Sequence, residues 1–528
     1  MAAAAFLVLG IGWNALQAWQ QGWIAEGDSA IIALRTDDVL TAHPPLLGNP
    51  TTAGTSTAQD AYHPGPLEFE LLALPLRVWA PSTLGLLVGV ALVNAAAIVL
   101  LVLFAHRRGG GSAALAAAAW AAILVFGLGE EIPHDAYNPH IVLIPLALLG
   151  VLAWSILCLD DVAIPLAVAV GSLVAQSHAY EVLMVAGMLL LVIVGRCVQR
   201  SRPRGRWLGA AVLTGFVLWL PPIIDQLSNK PGNLRVLFDE ARSSGGETEG
   251  WGFAWRGLAD AITPPFRWLI RQPSWADTHP DPGMARAAVA LAVLVAMIVV
   301  AVRSRRAGDR AAFSLIVTAL GALAVSAATA ARLPTGIASA APYNHRHWWV
   351  TGSLAWFALV WGVAALHRER LPRAIRLAGF ALTAFVVVLT GSQVTVGDDR
   401  GSASFGALAA LERPVVAAAR DKGPVVVVGR GAQAFTSIEP GLVAVLTLHG
   451  IDARVLGGEA KIFGARRVGG VDIVTWLYVV SGEGVDAAPP GSELVARYDP
   501  SADVASGFSN AGVSGKAEPI AVYVGPPG

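Results

Sequence analysis

The chain has 528 residues, of which 55% are hydrophobic and 14% are charged, and its formal net charge is zero. Soluble globular chains carry about 25% charged residues, so this composition excludes an ordinary soluble protein and indicates a polytopic membrane protein. The balanced charge lacks the basic footprint of a nucleic-acid-binding protein. The two cysteines, Cys158 and Cys197, form neither a disulfide framework nor a metal motif. The Ala- and Arg-rich composition is typical of a high-GC bacterium, such as an actinobacterium.

Eleven stretches are apolar enough to be interpreted as membrane-spanning helices, which need about 20 mostly apolar residues. The first stretch has no basic segment before it and no clear cleavage site, so we expect it to be retained as a helix. The predicted spans lie near residues 2–19, 83–105, 113–129, 141–158, 162–176, 179–196, 207–224, 284–302, 312–331, 348–366 and 377–395.

The orientation follows from the arginines in the connecting loops. Four segments that fall on one side of the predicted membrane hold fifteen arginines, and the short loops opposite hold only Arg332 and Arg346. Because basic residues concentrate in cytoplasmic loops, we expect a cytoplasmic N-terminus and an extracytoplasmic C-terminus in a bacterial plasma membrane. The basic segments are 106–108, 196–206, 303–310 and 367–376.

The part of the chain after residue 395 alternates short apolar strands with helical stretches, which favours a small α/β domain. The predicted fold is therefore mainly α: a helical bundle over 1–395, followed by an extracytoplasmic α/β domain over 396–528. Predicted strands are 424–430, 452–456, 472–480, 493–498 and 519–525, and predicted helices are 404–420 and 439–449. Two long outer loops, 20–82 and 225–283, interrupt the bundle.

The first outer loop holds three aspartates. Asp28 begins a pattern over residues 28–40 that predicts a short helix on the membrane surface, and Asp37 and Asp38 lie within it. One interpretation is that Asp28 only caps this helix and that the other two are solvated. The alternative is that one of these carboxylates acts as a general base on an acceptor hydroxyl.

Two His-Pro turns, at His43 and His63, flank a flexible part of the same loop. A proline fixes the backbone and thereby the direction of the neighbouring imidazole. Two histidines and an aspartate could bind a divalent metal, although the spacing matches no compact zinc motif. The sequence favours a contact with phosphate or hydroxyl and leaves the metal open.

Other polar residues gather in the remaining outer loops. A cation on the outer side calls for an anionic partner, such as a lipid phosphate, and a confined polar group at a membrane interface is a functional candidate. The candidate cations are Arg35 and Arg346, the candidate histidines are His134, His140, His178 and His345, and further candidate acids are Glu130 and Glu131.

The order of these motifs resembles the GT-C membrane glycosyltransferases, in particular the protein mannosyltransferases, the aminoarabinose transferases of lipid A and the RgtA/B/C/D-like domain. The resemblance rests on GDSA at 27–30, HPPL at 43–46 and HPGPL at 63–67, which lead into the second span. In that superfamily the first motif typically reads Asp-Glu-Ala. Here Asp28 keeps the first acid, and Ser29 replaces the second.

The resemblance implies a transferase that moves a sugar from a polyprenyl-phosphate donor to an envelope glycan, a lipid-linked glycan or a protein. It implies inversion at the anomeric carbon, with Asp28 as general base and with Arg346, Arg35, His345 or His63 beside the leaving phosphate. A transporter or flippase of a lipid-linked sugar, which should carry polar or helix-breaking residues near the bilayer midplane, and a non-catalytic envelope scaffold are the alternatives.

Overall fold

A computed structural model of the chain shows a bundle of apolar helices joined to a C-terminal domain built on a sheet. The predicted fold class, a mainly helical membrane bundle with a small α/β domain, is confirmed. The structure describes residues 2–20, 22–51, 60–129, 132–243, 247–269, 282–336, 339, 341–367, 381, 384–386, 403–457, 462–469, 473–500, 505–507, 514–516 and 518–527.

The helices of the bundle coincide with ten of the predicted spans, and the eleventh, 377–395, lies mostly outside the described residues. By length and composition, six of the described helices could cross a membrane, or seven if the bent pair α9–α10 is one span. The helices are α1 (Ala2–Gln20), α2 (Gly27–Asp38), α3 (Leu67–Trp79), α4 (Leu84–Leu128), α5 (Asn138–Ile141), α6 (Leu143–Leu157), α7 (Ala163–Ser177), α8 (Val182–Val198), α9 (Gly205–Leu218), α10 (Leu220–Ser228), α11 (Asn233–Ser243), α12 (Gly250–Ile262), α13 (Gly283–Arg306), α14 (Arg310–Ala331) and α15 (His347–Leu366).

Helix α4 is two helices joined by a sharp turn. Gly109 and Gly110 have non-helical backbone angles, and Gly110 has a φ of 65°, which glycine adopts without steric cost. The side-chain amide of Asn94 donates to the carbonyl of Pro133 over 2.8 Å. A straight helix would place Leu128, the last residue of α4, roughly 50 Å from Asn94 at 1.5 Å per residue. The five residues from Leu128 to Pro133 cannot span that distance, so the chain must double back at the glycines.

The basic loops meet at one end of the bundle. Arg107 and Arg108 both bind the carboxylate of Asp160, while Arg196 pairs with Asp161 over 2.8 Å. The backbone N–H of Arg204 also donates to Asp161. The sulfur of Cys158, at the end of α6, lies 3.9 Å from the carbonyl oxygen of Arg310, so the segments 106–108, 196–206 and 303–310 lie on the same side, as predicted. Arginines of the first two segments neutralise two buried aspartates.

The short helix α2 is present as predicted, but its surroundings differ from the expectation of a helix on a membrane surface. Residues 29–34 are all buried, because α2 packs between α3 of the bundle and a helix of the C-terminal domain. The helix begins at Gly27 after Glu26, so Asp28 is its second residue and not its N-cap. The loop is therefore built into the protein interior.

The C-terminal domain contains a five-stranded sheet in the order β2-β1-β3-β7-β4. Strand β1 is parallel to β2 and β3, and β7 runs antiparallel between β3 and β4. Each of these five strands overlaps a predicted one. The short strands β5 and β6, which pair with each other, were not predicted. The elements are helices α16 (Ala403–Ala419) and α17 (Glu439–Leu448) and strands β1 (Val425–Arg430), β2 (Ala453–Val455), β3 (Thr475–Ser481), β4 (Glu493–Tyr498), β5 (Ala505–Gly507), β6 (Ser514–Lys516) and β7 (Ile520–Gly525).

Candidate active site

The candidate site lies where the first loop meets three other segments at the end of the bundle away from the arginine cluster. These segments are the loop 132–142 before α6, the turn 177–181 after α7, and the stretch 341–347 before α15. Because sequential helices alternate in direction, all of these connections fall at the same end. The predicted outer clusters are therefore neighbours in space.

Asp28 has a solvent-accessible side chain although protein surrounds it. Burial, and secondly the negative charge of Asp135, raise the pKa of its carboxyl from 3.8 to about 6. Within the described ranges Asp28 belongs to no ion pair, whereas Asp37 and Asp38 are both held by arginines. A carboxylate with these properties can receive a proton near neutral pH.

The loop before α6 supplies a second carboxylate, which is bound to an imidazole. Asp135 accepts from the backbone N–H of Tyr137 over 3.0 Å and contacts Nδ1 of His140 over 2.6 Å. If Nδ1 carries the proton toward Asp135, Nε2 of His140 is the acceptor nitrogen. Tyr137 stands edge-on to both His140 and Tyr343. Burial and the charge of Asp28 raise the pKa of Tyr137, so its hydroxyl stays protonated and can donate.

A third acid, Glu68, lies at the start of α3 in the same region. It is buried, and it accepts from the side-chain amide of Asn138 over 2.8 Å. The oxygen of that amide accepts from Asn49 over 3.1 Å, so the first loop, α3 and the loop before α6 are tied together. Burial, and also the charge of Asp135, raise the pKa of Glu68 well above its ordinary value. Glu68 is therefore a buried, hydrogen-bonded anchor that holds its proton more tightly than a free glutamate does.

The histidines of the first loop and of the turn after α7 are adjacent. The ring centroids of His63 and His178 are 5.4 Å apart, and Nδ1 of His63 accepts from the backbone N–H of Ala179 over 3.0 Å. Burial lowers the pKa of His63 to about 3 and that of His178 well below its usual range. Both imidazoles are neutral at physiological pH, so they can donate a hydrogen bond but add no positive charge.

Arg346 provides the positive charge in this region. Its side chain is buried, stacks over the ring of Trp349 at 5.8 Å and acts electrostatically on His140. His345 uses Nε2 to contact the carbonyl oxygen of Ser339 over 2.7 Å. Nδ1 of His347 lies 3.7 Å from Glu181. These contacts hold the side chains of Arg346, His345 and His347 in place before α15.

The remaining predicted site residues are placed differently. Arg35 pairs with Asp38 over 2.7 Å and lines a cavity of about 230 Å³ between the first loop and the C-terminal domain. His43 is exposed on the first loop, away from the buried cluster. His134 is buried in the same loop as Asp135. Glu130 and Glu131 lie outside the described residues.

Sequence reasoning gave no role to several residues that complete this region. Glu68 stands within a mostly apolar helix, which is a signal that could have singled it out, because an unpaired acid is seldom buried. Asp135 stood in a cluster of acids with nothing to distinguish it. Tyr137, Asn138 and Tyr343 carry no signal, because ordinary polar loop residues look the same.

No group of three or more His, Cys, Asp or Glu side chains in the described part of the chain is arranged to hold a metal ion. Asp135 contacts His140, Glu68 accepts from Asn138, and His63 accepts from the backbone N–H of Ala179.

No family model and no curated protein matches this sequence. Among solved structures, the chain is similar to ArnT from Cupriavidus metallidurans bound to undecaprenyl phosphate, with 13% identity, a TM-score of 0.49 and coverage of 99% of this chain and 96% of that chain. It is also similar to the apo state of ArnT, with 14% identity, a TM-score of 0.42 and coverage of 99% and 98%. The likeness extends along nearly the whole chain.

Proposed function

We propose that this chain is a membrane glycosyltransferase that moves a sugar from a polyprenyl-phosphate donor to an acceptor hydroxyl on the outer face of the membrane. The observation that carries the proposal is the accessible Asp28 carboxylate, whose pKa of about 6 suits a general base, in one cluster with a buried arginine. The motif order of the first loop supports the same reaction class. The outer placement follows from the arginine-rich loops at the opposite end.

In the proposed reaction, the acceptor hydroxyl gives its proton to Asp28 while its oxygen bonds to the anomeric carbon. The bond from that carbon to the phosphate oxygen breaks on the opposite face, so the configuration inverts. The lipid phosphate leaves with the electron pair. Arg346 stabilises the charge that develops on it, and neutral donors such as His63 add hydrogen bonds.

Replacement of Arg346 by alanine should weaken donor use more than acceptor use. The variant loses the cation that the proposal places beside the lipid phosphate, so we expect KM for the donor to rise by about 10-fold or more, since a hydrogen bond to a charged group contributes about 1.5–3 kcal/mol. Steady-state kinetics with synthetic polyprenyl-phosphate sugars measure this. Arg332→Ala, at the other end of the same loop between α14 and α15, is the matched control. An unchanged donor KM would remove Arg346 from the phosphate site.

The rate should depend on pH through Asp28. A raised pKa means that the carboxylate is lost as the pH falls through about 6, so kcat/KM should drop about tenfold per pH unit below that value. Asp135→Asn removes one cause of the raised pKa, and the acid limb should move to lower pH, with burial still holding it above 3.8. An acid limb of the pH profile that stays in place, or moves to higher pH, would contradict the charge repulsion between Asp28 and Asp135.

A further inference from the structure

The C-terminal domain holds the far end of α2 through buried ion pairs. The carboxylate of Asp38, which is 0% exposed, contacts Nε of Arg466 over 2.6 Å and a guanidinium nitrogen of Arg467 over 2.9 Å. Arg467 also donates to the carbonyl of Leu34 over 3.2 Å. Arg466 reaches Asp37 as well. Two arginines of one domain thus grip the last turn of a helix that belongs to the other.

The same domain also approaches the first turn of α2. Gly27 has a φ of +48°, and a Cβ added there would lie 3.4 Å from the carbonyl oxygen of Thr436. Thr436 precedes α17, and α17 packs along α2. Both ends of α2 therefore lie against the C-terminal domain.

The two ends of α2 are mechanically linked. Asp28 and Asp38 are ten residues apart on one helix, a distance of about 15 Å at 1.5 Å per residue. The helix holds its length through its own hydrogen bonds, so a shift at Asp38 is carried to Asp28. A misplacement of about 1 Å at a reacting group can cost about 100-fold in rate.

Stability alone is a poor explanation for this cluster. The desolvation of buried charges largely offsets their attraction, and apolar replacements of a whole buried ion pair are often neutral or stabilising. The planar guanidinium, in contrast, accepts only a narrow range of carboxylate positions. The cluster of Asp37, Asp38, Arg466 and Arg467 is therefore suited to fixing the orientation of α2.

We propose that Arg466 and Arg467 are positioning residues, which set where α2 presents Asp28 by holding the carboxylates of Asp37 and Asp38. The C-terminal domain is then part of the catalytic apparatus without touching the substrate. The inference rests on the proposed function, since it assigns a position to the proposed base. Arg466 is the better test position, because it is partly exposed and its loss leaves Arg467 on Asp38.

The kinetic test compares Arg466→Gln with wild type on whichever synthetic polyprenyl-phosphate sugar the wild type transfers to a lipid extract. We expect kcat to fall about 10- to 100-fold while KM for the donor stays unchanged, because the donor site is intact. Arg466→Lys keeps the charge without the planar fork and should fall between the two. The matched control is Arg454→Gln, which breaks an exposed pair with Asp452 in the same domain and should leave kcat unchanged.

A second test needs no sugar transfer. In a chain with Cys158→Ser and Cys197→Ser, the substitution Ser29→Cys places a thiol at a position that is 3% exposed on α2. Arg466→Gln should speed its reaction with a maleimide, and Arg454→Gln should not. An inactive wild type would overturn the proposed function, with labelling still reporting on α2. An active Arg466→Gln variant with unchanged kcat and a protected thiol would overturn the positioning role.

Discussion

Asp28→Asn is expected to lower the rate of sugar transfer about 10²- to 10⁴-fold, the range that a positioned general base contributes. Asparagine matches the size of the aspartate but cannot take the acceptor proton. The fall should appear in kcat, with KM for the donor little changed, because the base acts on the acceptor. Initial rates with a synthetic polyprenyl-phosphate sugar measure the effect.

The control for this variant is Asp239→Asn, on α11, where the carboxylate forms an exposed pair with Arg235. It removes a charge of the same sign from the protein and should retain most of the activity. Thermal unfolding in detergent should show that Asp28→Asn is at least as stable as wild type, because a carboxyl with a raised pKa is less easily ionised in the folded protein. A variant that still turns over at the wild-type rate would exclude Asp28 as the base.

Asp38→Ala should be the most destabilising of the substitutions considered. It leaves Arg467, which is 2% exposed, with a buried charge and with only the more distant carboxylate of Asp37, 3.6 Å away. Removal of one partner from a buried ion pair typically costs about 3–5 kcal/mol. We expect a large fall in the thermal unfolding midpoint in detergent.

The neighbouring substitution Asp37→Ala is the natural comparison for Asp38→Ala. The Asp37 side chain is 20% exposed, and that of its partner Arg466 is 30% exposed. Water can therefore solvate Arg466 when Asp37 is removed, so this substitution should cost much less stability. Equal midpoints for the two variants would contradict the burial of the Asp38 cluster.

Much of the architecture was predictable, because each element has a strong local signal. Ten of the eleven apolar runs coincide with helices of the bundle, and the strands of the five-stranded sheet are runs such as 425–430 between a Gly-Pro turn and a glycine. The end of the bundle at which the arginines gather also follows from sequence. Asp28 was singled out by its place in a motif, and its raised pKa needed the three-dimensional neighbours to become visible.

The role of Asp37 and Asp38 could not be predicted from sequence. Their arginine partners, Arg466 and Arg467, lie more than 400 positions further on, and no periodicity links such distant charges. The neutrality of His63 depends likewise on burial by the turn at Ala179. These features arise from the packing of distant segments, which sequence patterns do not encode locally.

The ion pairs of α2 have a consequence for the synthesis of the protein on the ribosome. The partners of Asp38 are separated from it by up to 429 residues, so at 5–20 residues per second the ribosome makes Arg467 roughly 20 to 90 s after Asp38. During that interval the bundle can insert while the last turn of α2 lacks its counter-ions. A chain that ends before residue 466 would then enter the membrane without the ion pairs that hold the last turn of α2. If Arg466 and Arg467 position α2, the site is complete only after the C-terminal domain has been made.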